Sequence, residues 1–78
     1  MLTADTITNA TIRSLRHGAA MALARAPDDE SLARAQRIVA ACDVAIDGHP
    51  AVRPLARWIC AQTINLANAG SEVSDERA

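Results

Sequence analysis

The sequence predicts an all-α fold: a compact bundle of three helices joined by short turns, forming a single domain over 1–70 and followed by a flexible acidic tail over 71–78. Three observations lead there. Apolar residues recur at intervals of three and four along most of the chain, and no window alternates with period two between turn residues as a strand would. Pro27, Gly48, Pro50 and Gly70 stand between these periodic stretches, where helices stop or start. Alanine, the best helix former, supplies 18 of the 78 residues.

The first helix is expected over about 9–26. Met1 to Thr6 reads as a loose lead-in, and Thr8 is placed to cap the helix N-terminus, with Ile7 and Ile12 packing across the cap as a hydrophobic staple. Ile12, Leu15, Ala19, Ala22, Leu23 and Ala26 then share one face, whereas Arg13, His17 and Arg25 fall outside it. Pro27 closes this helix.

Asp28, Asp29 and Glu30 place carboxylates where the positive end of a helix dipole favours them, so a second helix is expected over 29–47. Its stripe is Leu32, Ala35, Val39, Cys42 and Ile46, widened by Ile38 and Ala45, with Arg34 and Arg37 opposite and Gly48 as the stop. Arg16 borders the stripe of the first helix and Asp43 that of the second, which suggests an interhelical ion pair.

Pro50 and Pro54 each suit a first helical turn, but both cannot lie within one regular helix, because Pro54 would crowd the carbonyl of residue 50. A turn over 49–53 and a third helix over 54–69 resolve the conflict. This helix carries two apolar faces, Leu55, Ile59 and Leu66 on one and Ala56, Cys60, Ile64 and Ala67 on the other, with Arg57, Ala61, Asn65 and Asn68 as the polar strip.

A helix that only caps a core needs an apolar stripe of about 100°. The excess here has two explanations: the third helix lies centrally and touches both others, or a second chain covers it. The second explanation makes Ala56, Trp58, Cys60, Ile64 and Ala67 a candidate partner or dimer interface, with small residues permitting close helix approach. Trp58, the only aromatic residue, suits either an interface anchor or an edge residue sheltering a small core.

No catalytic, cofactor-binding or metal-binding residues are predicted. His17, Cys42, His49 and Cys60 have the composition of a zinc site but lack any local CxxC or HxxxH pair. The two cysteines read as small buried hydrophobes of a reduced cytoplasmic protein, and no apolar run is long enough for a membrane span. Eight arginines face nine acids for a net charge of −1, which argues against a polyanion partner.

Ile7-Thr8, Ile12-Arg13-Ser14-Leu15-Arg16 with Ala19-Ala20, the run Cys42-Asp43-Val44-Ala45-Ile46-Asp47-Gly48, and Ala56-Arg57-Trp58-Ile59-Cys60 resemble a group of small helical proteins encoded by bacteriophages and prophages. The similarity covers about half the chain. This sequence departs from the group in its longer Ala-rich passage into Pro27 and in Pro54.

The resemblance implies a mobile-element setting. Together with the small size, it leads to the expectation of a non-enzymatic interaction protein whose partner is itself, as a homodimer, or a host protein complex, such as a CRISPR or other defence system that it inhibits. A small helix-turn-helix-like DNA-binding regulator, using Arg53, Arg57, Gln62, Asn65 and Asn68, and a phage assembly or accessory protein are the alternatives.

Overall fold

A computed structural model describes the backbone of residues 1–77 and the side chains of residues 1–69. It is all-α, with α1 at Asn9–Arg25, α2 at Asp29–Asp47 and α3 at Arg53–Arg77. α3 runs on through Gly70, where a stop was expected after residue 69; the flexibility expected of the tail over 71–78 lies outside what the described residues address.

Local chemistry accounts for each helix end. The Thr8 side chain accepts a hydrogen bond from the backbone N–H of Thr11 at 3.2 Å, and Ile7 and Ile12 on either side of this cap are 2 % and 0 % exposed. Ala26 leaves the helix with ψ 122°, the extended conformation that a following proline requires. Asp28 caps α2 by accepting from Ser31 N–H at 2.8 Å.

At the far end of α2, Gly48 donates its N–H to the Val44 carbonyl at 2.9 Å. Gly48 does not adopt the left-handed conformation common at this position; its φ of −72° is open to any residue. Its need for glycine is steric, since a Cβ there would stand 2.5 Å from the Val44 carbonyl oxygen.

A turn over His49–Val52 joins α2 to α3, tied by Val52 N–H to His49 O at 3.0 Å and by Arg53 Nε–H to Gly48 O at 2.6 Å. Pro54 sits in the first turn of α3, where its missing N–H has no intrahelical acceptor to lose.

The central helix is α2, not α3 as one sequence reading had it. Both α1 and α3 pack along α2 and touch each other only sparsely. The core sits where the start of α1, the end of α2 and the start of α3 converge: Ile7, Ile12, Cys42, Ala45, Ala56, Cys60 and Ala61 are buried together. Small side chains here let α2 and α3 approach closely. Burying so few large apolar side chains leaves a thin stabilising margin.

The lead-in is fastened rather than loose. Thr3 and Thr6 bond each other's backbone and hydroxyl groups, while Asn65 accepts from Leu2 N–H at 3.0 Å and donates to Leu2 O at 2.8 Å. Arg57 donates to Ala4 O at 3.2 Å, to Asn9 Oδ1 at 3.0 Å and to Ile7 O. The polar strip of α3 is thus a clasp for the N-terminal segment, and Ala61, between the two clasping side chains, is fully buried.

Candidate functional site

Beyond the level of this clasp, nothing among the described residues fills the space between α1 and α3. Their divergence leaves an apolar groove of about 510 Å³. One wall is α1, contributing Leu15, Gly18, Ala19 and Ala22; Ile38 of α2 takes part in the lining; and Thr63, Ile64 and Ala67 of α3 form the other wall. Gly18 shows the openness directly, because a Cβ placed there would meet no atom within 4 Å.

A second groove, about 550 Å³, lies on the other side of α3 between it and α2. Ile38, Ile59, Leu66 and Ala67 line it, and Arg34 and Arg37 stand along its α2 side. Ile38, Thr63 and Ala67 border both grooves, so the two form one apolar region divided by a ridge of α3. The Thr63 hydroxyl donates to Ile59 O at 2.8 Å within the helix, so this ridge presents little unmet polar demand.

Exposure on α3 is concentrated on the Leu55 side. Leu55 is 61 %, Ile59 40 % and Leu66 72 % exposed, and Val52 in the preceding turn is 45 % exposed. Spacings of three, four and seven align these residues on one side of the helix.

The candidate interface residues separate into three groups. Ala56 and Cys60 are buried in the chain's own core. Ile64 is half-buried and Ala67 exposed, and both line the α1–α3 groove. Trp58 is 51 % exposed, away from both grooves. The burial of Ala56 and Cys60 moves the accessible apolar surface of α3 toward Ile59, Ile64, Leu66 and Ala67. Periodicity separated the two faces of α3, but it could not rank them without knowing which one α2 covers.

Arg16 and Asp43 do meet. Arg16 Nε–H donates to Asp43 Oδ1 at 2.6 Å, and both side chains remain about half exposed. The hydrogen bond and the neighbouring carboxylate together raise the Arg16 pKa. The pair bridges α1 and α2 outside both grooves and orients those helices.

Cys42 and Cys60 project from α2 and α3 into the same core, with their sulfurs 3.8 Å apart. Burial raises both thiol pKa values and takes Cys42 to about 12, with Cys60 and the adjacent Asp43 adding to the shift there. Neither sulfur is an activated nucleophile in this state. No group of three or more His, Cys, Asp or Glu side chains is placed to hold a metal ion among the described residues.

Of the residues considered for DNA contact, Arg57 and Asn65 hold the N-terminal segment and Arg53 holds Gly48 O. No helix among the described residues is long and apolar enough to cross a membrane. Comparison with protein-family models, curated proteins and solved structures gives no match.

Proposed function

We propose that this protein is a non-enzymatic protein–protein interaction module that accepts an apolar helix of a partner in the groove between α1 and α3. The observation that carries this reading is the divergence of α1 from α3, which leaves Gly18 facing open space and Ile64 only half covered. A helix seated there completes a four-helix arrangement and covers the apolar surface that three helices leave open. The mostly small side chains on the α1 wall suit close backbone approach.

In this reading the partner belongs to a host complex and the binding takes place in the cytoplasm. The phage and prophage resemblance supports that setting, and inhibition of a defence system is the outcome we favour for the occupied surface. Arg34 and Arg37 beside the second groove favour a partner helix with carboxylates on the adjoining flank.

Gly18→Leu tests the proposal. A Cβ at Gly18 meets no atom within 4 Å, so the larger side chain starts into open space, and replacing a helical glycine favours the helix. The expected result is an unchanged helical circular-dichroism spectrum and a melting temperature equal to or above wild type, together with loss of a host protein that copurifies with the tagged wild-type chain. A copurifying partner retained at full yield by Gly18→Leu overturns the assignment of the groove.

A second reading, a homodimer, is favoured by the exposed Leu55, Ile59 and Leu66, whose spacing matches a helix–helix seam. Light scattering across a concentration series distinguishes the two. A dimer abolished by Leu66→Glu supports self-association through this side of α3, and a strict monomer removes it.

A further inference from the structure

We propose that Cys42 and Cys60 form a covalent modification site: an oxidisable dithiol that closes into an α2–α3 disulfide when the chain meets a small-molecule disulfide such as oxidised glutathione. The two thiols belong to different helices, are 0 % and 1 % exposed, and stand with sulfurs 3.8 Å apart. A disulfide bond is about 2.05 Å long, so the sulfurs must close by somewhat under 2 Å. Side-chain rotation and a small shift of one helix supply this, in a core where the cysteines share space with Ala45, Ala56 and Ala61 as well as with Ile7 and Ile12.

The chemistry needs two exchanges. One cysteine, as thiolate, attacks a sulfur of the small disulfide; a new protein–small-molecule S–S bond forms, and one small thiolate leaves with the electron pair of the broken bond. The second cysteine, after losing its proton to solvent, attacks the protein sulfur of that mixed disulfide and expels the second small thiolate. The two protein thiols are oxidised by two electrons and one small disulfide is reduced to two thiols. Cys60 suits the first attack, because the Cys42 hydrogen bond and then Arg57 offset part of the burial that disfavours its thiolate, whereas at Cys42 the Cys60 side chain and then Asp43 add to it.

Burial makes the reaction conditional. Neither sulfur meets solvent while α2 and α3 are packed, so a bulky disulfide reacts only after local opening. Once closed, the bond fixes the α2–α3 spacing that borders the groove beside Ile59. This proposal is independent of the partner-binding proposal: it requires no partner, and its product is read on the isolated chain.

The test is to refold the full chain from denaturant in mixtures of oxidised and reduced glutathione, so that burial does not delay equilibration. Free thiols are then blocked under denaturing conditions and the intact mass is measured. The expected product is a monomer lighter by two hydrogen atoms and carrying neither blocking group nor glutathione.

Its melting temperature should exceed that of the dithiothreitol-treated chain by roughly 10–20 °C, as expected for closing a loop between residues 18 apart in a domain of this size. Cys42→Ala and Cys60→Ala should each give the mixed glutathione adduct instead. A wild-type chain that keeps two blockable thiols at every ratio, carries two glutathiones, links into dimers, or melts lower when oxidised overturns the proposal. The wild-type comparison stands even where a variant fails to fold.

Discussion

Asn65 and Leu2, separated by 63 positions, pair as two strands would: the side-chain amide accepts from the Leu2 N–H at 3.0 Å and donates to the Leu2 carbonyl at 2.8 Å. A planar amide presents its acceptor oxygen and its donor NH2 side by side, so it can pair with both the N–H and the C=O of one extended residue. The pairing satisfies two backbone groups that no helix reaches and draws the half-buried Leu2 against the core. Through it, α3 holds the start of the chain in place.

Asn65→Ala should release the first few residues while leaving the three helices intact. The expected cost is about 1–2 kcal/mol, the worth of two partly buried hydrogen bonds. Limited proteolysis checks it: cleavage within residues 1–6 should accelerate before any change in helical circular dichroism. Asn65→Asp should behave alike, because a carboxylate cannot donate to the Leu2 carbonyl.

Arg57 does for Ala4, Ile7 and Asn9 what Asn65 does for Leu2, through three separate donors in one planar group. Arg57→Ala is expected to destabilise the fold by about 1–3 kcal/mol, since it strips the partner from the part-buried Ile7 carbonyl. Arg57→Lys should recover only a minor part, because a single ammonium cannot span the three acceptors. Denaturant titrations of the three proteins give the comparison.

Two glycines should respond in opposite ways to the same substitution. Gly48→Ala forces a methyl group to 2.5 Å from the Val44 carbonyl oxygen, where backbone must move, and should cost more than about 1 kcal/mol. Gly18→Ala meets open space within a helix and should stabilise by about 0.5–1 kcal/mol. Thermal melts that move the same way for both would contradict the steric account.

Asp28 ties stability to acid. Its carboxylate is held below its ordinary range, first by the Ser31 backbone N–H and then by the Ser31 hydroxyl, with Arg34 adding a smaller share. A carboxyl group with a depressed folded-state pKa contributes stability that is fully present above its unfolded value near 4. That contribution is lost as pH falls through the lower folded value. Asp28→Asn keeps a capping oxygen without a titrating group, so the melting temperatures of wild type and variant should converge below about pH 4. A difference that stays constant from pH 7 to pH 2 would show that the cap does not titrate.

The three helices were legible because alanine content, stripes of period 3.6 and the stops around Pro27 and Gly48 act within a few residues of themselves. The Arg16–Asp43 pair was legible because both residues border the apolar stripes of consecutive helices. The clasp was not, because an arginine and an asparagine on one side of a helix look the same whether they face water or another segment. Ala61, buried between them at intervals of four, was the one local sign that this strip is covered.

What the sequence by itself determined is the set of helices, the Thr8 cap, the stop at Gly48 and the surplus of apolar surface on α3. Only the tertiary structure decided that α2 is the middle helix, that Ala56 and Cys60 face inward while Ile59 and Leu66 remain outside, and that the lead-in closes one end of the gap between α1 and α3. The physical reason is range. Helix formation and capping are settled by neighbours along the chain, whereas the choice of which face is buried depends on how three helices share too little apolar volume to cover one another completely.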